Sequence, residues 1–174
     1  VSLLPALLLS AGAAAQDVPR THDLVPEDYF TIATIVDLAP SPDGKYVAYV
    51  ELRWDPPADR RVADLWVVDT ATGKRRRLTF DPAYDLSPVW APDSRTIYFL
   101  SRRKRAGEKE PPHDGKAQVW SVSPEGGEPR AVTRVHGGIA GFDIARSGRA
   151  LYLKRTKKHV AGPFKALRTR FAKL

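Results

Sequence analysis

Few residues of this chain have the types and spacing that covalent chemistry needs. Its four histidines, His22, His113, His136 and His159, are scattered, and none stands in the HxxxH or HExxH spacing that sets two imidazoles on one metal ion. With zero cysteines, a thiol nucleophile, Cys-ligated zinc and a disulfide frame are all excluded. No GxSxG stretch occurs, so the strained strand-to-helix turn that exposes a nucleophilic serine is absent from the sequence. Ser147 lies in Ala145-Arg146-Ser147-Gly148, which reads as a hairpin turn. His136-Gly137-Gly138 has glycines of the kind that let backbone N–H groups approach an oxyanion. No nucleophile accompanies it, and its place between two strands accounts for the glycines. Thr72-Gly73-Lys74 lacks the upstream glycine of a phosphate loop and reads as another hairpin. Asp43, Asp69 and Asp93 recur at bends, where capping of backbone N–H groups explains them better than acid–base work. The sequence therefore nominates no catalytic, cofactor-binding or metal-binding residue, and no cofactor is expected.

The elements that would position any such site come from a repeat. Ser41-Pro42-Asp43-Gly44-Lys45-Tyr46-Val47-Ala48-Tyr49 returns 50 residues later as Ala91-Pro92-Asp93-Ser94-Arg95-Thr96-Ile97-Tyr98-Phe99. A more eroded copy, Ala145-Arg146-Ser147-Gly148-Arg149-Ala150-Leu151-Tyr152-Leu153, follows 54 residues after that. Leu65-Trp66-Val67-Val68-Asp69 and Val119-Trp120-Ser121-Val122-Ser123 keep the same 54-residue register, as do Gly73–Thr79 and Gly127–Thr133. A period near 50 residues built from short strands is the mark of a β-propeller. Trp66 and Trp120, at equivalent strand positions, then point to core packing rather than to a stacking platform.

Within one unit, the strands are predicted at 35–39, 46–52, 63–69 and 75–80, and in the next at 86–90, 96–101, 118–123 and 130–133. The third unit supplies only 139–144 and 150–154. β-Branched and aromatic residues fill these runs, while Gly, Pro, Asp and Ser stand at the bends. The insert Arg102–Lys116, of mixed charge and with Pro111-Pro112, is expected to be a solvated loop.

The fold class is thus all-β: an incomplete propeller of about two and a half four-stranded blades. Residues 1–15 read as a signal peptide, 16–34 as a lead-in segment, 35–155 as blades and 156–174 as a basic amphipathic tail. Val1–Ala15 is apolar, ends in Ala13-Ala14-Ala15 and is too short to span a bilayer. Cleavage near Ala15 and a periplasmic or secreted location are expected, with no stable membrane span. Eight of the 28 Lys/Arg and none of the 20 Asp/Glu fall between Lys154 and Leu174. The net charge of +8 therefore belongs to the tail, which argues against a nucleic-acid partner. Phe164, Leu167, Phe171 and Leu174 recur there at helical spacing, so a short basic helix that docks on further protein is predicted. Two and a half blades leave apolar sheet faces uncovered, and the chain alone is expected to be marginally stable or aggregation-prone.

Val25-Pro26-Glu27-Asp28-Tyr29-Phe30, followed by Val36-Asp37-Leu38-Ala39-Pro40-Ser41-Pro42-Asp43-Gly44, resembles the opening of the propeller in the prolyl oligopeptidase family, in its bacterial acylaminoacyl-peptidase and dipeptidyl-peptidase-like branches. Leu78-Thr79 with Ser87-Pro88-Val89-Trp90-Ala91-Pro92-Asp93-Ser94 is similar to the junction between blades in those proteins. The tail, with Phe164-Lys165-Ala166-Leu167 and Phe171-Ala172-Lys173-Leu174, is similar to a segment that continues into further blades. The resemblance implies an exported serine peptidase acting on short peptides, in which the propeller gates access to an α/β-hydrolase domain carrying a Ser-Asp-His triad. That domain is not in this sequence. The chain is expected to be a fragment truncated before the catalytic domain, inactive alone, docking to missing blades or to the hydrolase domain, with a peptide substrate only for a complete parent. The same blade motifs also occur in non-enzymatic TolB-like exported binding propellers, which is the alternative reading.

Overall fold

The computed structural model describes residues 22–154. The expected signal peptide and basic tail lie outside these residues. Among the described residues, one 3-10 turn, Pro26–Phe30, is followed by strands and the turns that join them. β1 (Thr34–Pro40), β2 (Tyr46–Asp55), β3 (Arg60–Asp69) and β4 (Arg75–Arg77) form one antiparallel sheet in the order β1-β2-β3-β4. β5 (Asp85–Trp90), β6 (Ile97–Ser101), β7 (Gln118–Ser123) and β8 (Gly126–Ala131) repeat that order in a second sheet. β9 (Ile139–Ile144) pairs with β10 (Ala150–Lys154) in a two-stranded third. These are the two blades and partial third that the repeat predicts. Among the described residues no helix is long and apolar enough to cross a membrane.

The repeat is a repeat of hydrogen bonds. In the three turns the backbone N–H groups of Gly44, Ser94 and Gly148 donate to the carbonyls of Ser41, Ala91 and Ala145 at 2.9, 3.0 and 2.8 Å. Each of the three donors has a left-handed φ, +73° at Gly44, +60° at Ser94 and +78° at Gly148. Glycine suits that position because it lacks the Cβ that clashes there. Ser94 occupies it at some conformational cost and gains a bond that glycine cannot make. Its Oγ accepts the backbone N–H of Asp43, in the preceding blade, at 3.1 Å.

A second device recurs where the outer strand leaves the sheet. β4 is shorter than the predicted 75–80 run because Thr79 turns its side chain inward, and its Oγ1 accepts the Leu65 N–H at 2.9 Å. The equivalent Thr133 Oγ1 accepts the Val119 N–H at 2.9 Å. The hydroxyl takes the place of a ladder carbonyl, so each Leu/Val-Thr pair closes its blade without another strand residue.

The core lies between the first two blades. Ala48, Val50, Ala63, Leu65, Val67 and Leu78 of the first pack on Trp90, Ile97, Phe99, Trp120 and Val122 of the second. Successive strand residues face opposite sides of a sheet, and these are the alternate residues of β2 and β3 set against those of β6 and β7. Tyr46 stacks on Trp90 with ring centroids 6.3 Å apart, and Trp90 Nε1–H donates to the Ala39 carbonyl at 2.8 Å. Arg76 reaches Glu125 at 3.0 Å across the outer edge. The opposite face of the first blade is open: Ile35 and Leu38 are 62% and 64% exposed.

Candidate functional site

The residues with catalytic side chains do not converge. His22 pairs with Asp28 at 2.9 Å beside the 3-10 turn, while His136 lies 3.5 Å from Glu110 at an exposed position. His159 lies outside the described residues. Among the described residues no group of three or more His, Cys, Asp or Glu could hold a metal ion. His136-Gly137-Gly138 is a turn. Gly137 and Gly138 have φ of +83° and +81°, and a Cβ on Gly138 would come within 3.0 Å of the Lys116 side chain and 3.2 Å of the Ala117 backbone. The glycines let the chain pass tightly over Ala117, whose carbonyl accepts the Ile139 N–H at 2.9 Å. Asp43, Asp69 and Asp93 each accept a nearby backbone N–H in their turns. The Asp43 carboxyl is held below the usual range first by the Ser41 hydroxyl that donates to it and then by the Lys45 N–H, and the Asp69 carboxyl first by the Thr72 N–H.

The polar chemistry that the structure does assemble is buried in the sheets, at the end of the blades opposite the SPDG turns. Asp64, on the open face of the first blade, is paired with Arg77 at 2.9 Å and Arg53 at 3.1 Å. Burial raises its carboxyl above the ordinary range, and the two arginines oppose that shift. In the second blade the place of Asp64 is taken by Gln118. Its Oε1 accepts from Thr133 Oγ1 and from the Val135 N–H, both at 2.9 Å, and its Nε2 donates to the Val135 carbonyl at 2.8 Å. One buried side chain thus ties the second blade to the segment leading to the third.

The more informative cluster surrounds Asp85, at the start of β5. Asp85 is fully buried opposite Ser101 in the β5–β6 ladder. Arg103, just beyond β6, approaches it at 3.5 Å, with only 8% of the arginine side chain exposed. Burial pushes the Asp85 carboxyl up to about 6, although Ser101, Arg103 and Thr79 all favour its charged form. At 3.5 Å the Arg103 Nη2 has no hydrogen-bond partner among the described residues. Its guanidinium lies over the Trp120 ring, 4.4 Å from the centroid, and 5.9 Å from that of Phe99. His113 packs against Trp120 from the insert, centroids 5.5 Å apart, and burial, with Arg105 and Arg103, depresses its imidazole.

Arg103, His113 and Trp120 border a cleft of about 610 Å³ on the second blade, beside the link from the first at Asp81. Arg105, Arg130 and Arg134 line it with Arg103, against the carboxylates of Asp81 and Glu128. The 102–116 insert, expected to be a solvated loop, is exposed from 104 to 110 but folds back at its base. There the backbones of Lys104 and Asp114 pair in an isolated antiparallel β-bridge, and Arg103 and His113 enter the packing around Trp120. The sequence carried one signal for this. Arg103 stands 50 residues after Arg53, so it belongs to the blade repeat rather than to the loop.

No protein-family model matches the chain. Over 114 residues it is 30% identical to the uncharacterized peptidase YuxL of Bacillus subtilis, a match that takes in 66% of this chain and 16% of that protein. Over 142 residues it is 28% identical to dipeptidyl-peptidase 5 of Porphyromonas endodontalis, covering 82% of this chain and 19% of that one. The chain therefore spans less than a fifth of the length of these curated relatives. In fold it is similar to the β-propeller domain of the Trilobed protease from Pyrococcus furiosus, with a TM-score of 0.52 and 19% identity over 71% of this chain and 35% of that one. The likeness to the propeller portion of prolyl oligopeptidase-family peptidases, first carried by the blade motifs, thus holds in sequence relatives named as peptidases and in the fold itself.

Proposed function

We propose that this chain is the first part of the propeller of an exported serine peptidase acting on short peptides, and that the propeller gates access to an α/β-hydrolase domain. The observation that carries this reading is the alignment with a dipeptidyl-peptidase over 82% of the chain. Two features add to it. The blades are built without a catalytic constellation among the described residues, as befits a gating element whose chemistry is supplied by another domain. The apolar residues Ile35 and Leu38 on the open face of the first blade offer a surface for another sheet to cover. Residues 1–15 would direct export and be removed near Ala15.

The test is to sequence the coding DNA on both sides of this stretch and express the whole reading frame. Labelling by a fluorophosphonate probe at a GxSxG serine, together with release of short products from peptide substrates, is the expected result. A complete frame with more blades and no hydrolase segment would refute the peptidase reading and leave a binding propeller. Export is checked separately by fusing residues 1–20 to a reporter that is active only outside the cytoplasm.

A further inference from the structure

We propose that the cleft on the second blade binds a carboxylate group, with Arg103 at its base and Arg105, Arg130 and Arg134 on its walls. The inference stands apart from the peptidase reading, because it rests on the cleft alone.

The first ground is an unmet hydrogen bond inside the protein. A buried guanidinium is costly unless a carboxylate both neutralises it and accepts its hydrogen bonds. Arg103 is 8% exposed, and its one acidic neighbour, Asp85, stands at 3.5 Å without forming a hydrogen bond to it. Asp85 supplies a charge at neutral pH but, at that distance, no acceptor for the buried Nη2. The Arg103 guanidinium is therefore neutralised without being hydrogen-bonded at Nη2, and a second anion in the cleft would supply the acceptor that Asp85 does not.

The second ground is preorganisation. Stacking over Trp120 at 4.4 Å fixes the plane of the Arg103 guanidinium, and the Nε donates to Ser101 Oγ at 3.4 Å. A guanidinium held in this way loses little rotamer freedom when it engages a planar carboxylate. Arg105, Arg130 and Arg134 form no ion pair among the described residues, so their charges are not already spent within the blade. Several like charges around a concave, partly dry wall focus an attractive potential for an anion.

The third ground concerns which anion. Four arginines face two carboxylates, Asp81 and Glu128, so the excess of positive charge is modest and suits a monoanion better than a phosphate dianion. Those two acids also offer acceptors for amide N–H groups. A volume of about 610 Å³ admits a ligand of a few residues. The carboxylate could reach the cleft on a peptide or on a free organic acid, and the experiment separates the two.

The 174-residue chain, labelled with nitrogen-15, is titrated with propionate, with the capped dipeptide acetyl-Ala-Glu-amide and with its neutral isostere acetyl-Ala-Gln-amide. The readout is the Trp120 indole N–H signal, assigned with Trp120→Phe. A saturable shift with a Kd of about 0.1–1 mM is expected for a carboxylate probe and none for the glutamine peptide. The Arg130→Gln/Arg134→Gln double variant changes only exposed side chains and is expected to weaken binding about tenfold or more. Arg146→Gln, exposed in a distant turn, is expected to leave binding unchanged. Response to the glutamate peptide would assign the site to peptides, and response to propionate alone would assign it to free acids. The proposal is overturned if neither carboxylate produces a saturable shift, if the glutamine peptide binds equally, or if the double variant retains the affinity of the parent.

Discussion

Asp85→Asn isolates the energetic consequence of burying a carboxyl beside a loosely engaged arginine. The carboxyl moves from an ordinary value of 3.8 to about 6 on folding, chiefly through burial. A shift of about 2 units at about 1.4 kcal/mol per unit corresponds to about 3 kcal/mol between its two protonation states. The sign follows from proton binding. The folded chain holds the Asp85 proton more tightly than the unfolded chain, so this stabilisation is full below 3.8 and is lost as pH rises through about 6. Asn has the shape of the protonated acid and does not titrate. The difference in unfolding free energy, parent minus Asp85→Asn, should therefore fall by about 3 kcal/mol between about pH 4 and about pH 7.5. Other groups titrate over this range. His113, depressed on folding, favours the unfolded chain as pH falls below 6.5, and the depressed carboxyls of Asp43 and Asp69 lose stability only below 3.8. These are shared by parent and variant and cancel in the difference. Urea unfolding followed by tryptophan fluorescence at several pH values supplies the measurement. A difference that stays flat, or that rises with pH, would mean that Arg103 outweighs desolvation. It would also mean that the Asp85–Arg103 pairing, which the proposed anion site takes to be incomplete, is satisfied.

Three further outcomes follow from the repeat. Thr79→Val and Thr133→Val each remove the acceptor for a third-strand N–H, at Leu65 and Val119, and each should lower unfolding free energy by about 1–3 kcal/mol; unchanged urea midpoints would refute the strand-closing role. At Ser94, glycine relieves a left-handed φ by about 1 kcal/mol and forfeits a bond of similar worth, so Ser94→Gly should be near neutral while Ser94→Ala loses about 1 kcal/mol. An alanine variant as stable as the glycine variant would contradict this. Ile35→Lys with Leu38→Lys, on the open face of the first blade, should reduce self-association in light scattering without lowering the urea midpoint by more than about 0.5 kcal/mol equivalent; unaltered association would place the sticky surface elsewhere.

The strand pattern and the turns were legible because each is local. Pro, Asp and Gly at 42–44 dictate a bend by their own backbone preferences, and the alternating apolar residues on either side dictate strands. The copies differ most where a residue answers to something distant in the chain. Ser94 replaces glycine because Asp43, 51 residues away, needs an acceptor. The run at 75–80 is predicted as one unbroken strand, yet it stops at Arg77 because Thr79 substitutes a side chain for backbone. Periodicity counts hydrophobic residues and is blind to such an exchange.

The cleft illustrates the same limit in its functional form. Arg103 is the second residue of the basic run Arg102–Arg105, and composition alone assigns that run to solvent. Register assigns it otherwise. Fifty residues earlier, Arg53 reaches from the end of β2 to Asp64, whose counterpart in the second blade is the neutral Gln118. The second blade thus keeps the arginine and loses its acid partner. Asp85, at the position of Ile35, answers from another strand and at a longer distance than the 3.1 Å of the Arg53 pair. A position where one member of an internal repeat retains a charge and its sister loses the counter-charge is a local conflict with the consistency expected of a fold. Such conflicts are where function is most economically sought. Here the conflict leaves a fixed guanidinium facing a cleft.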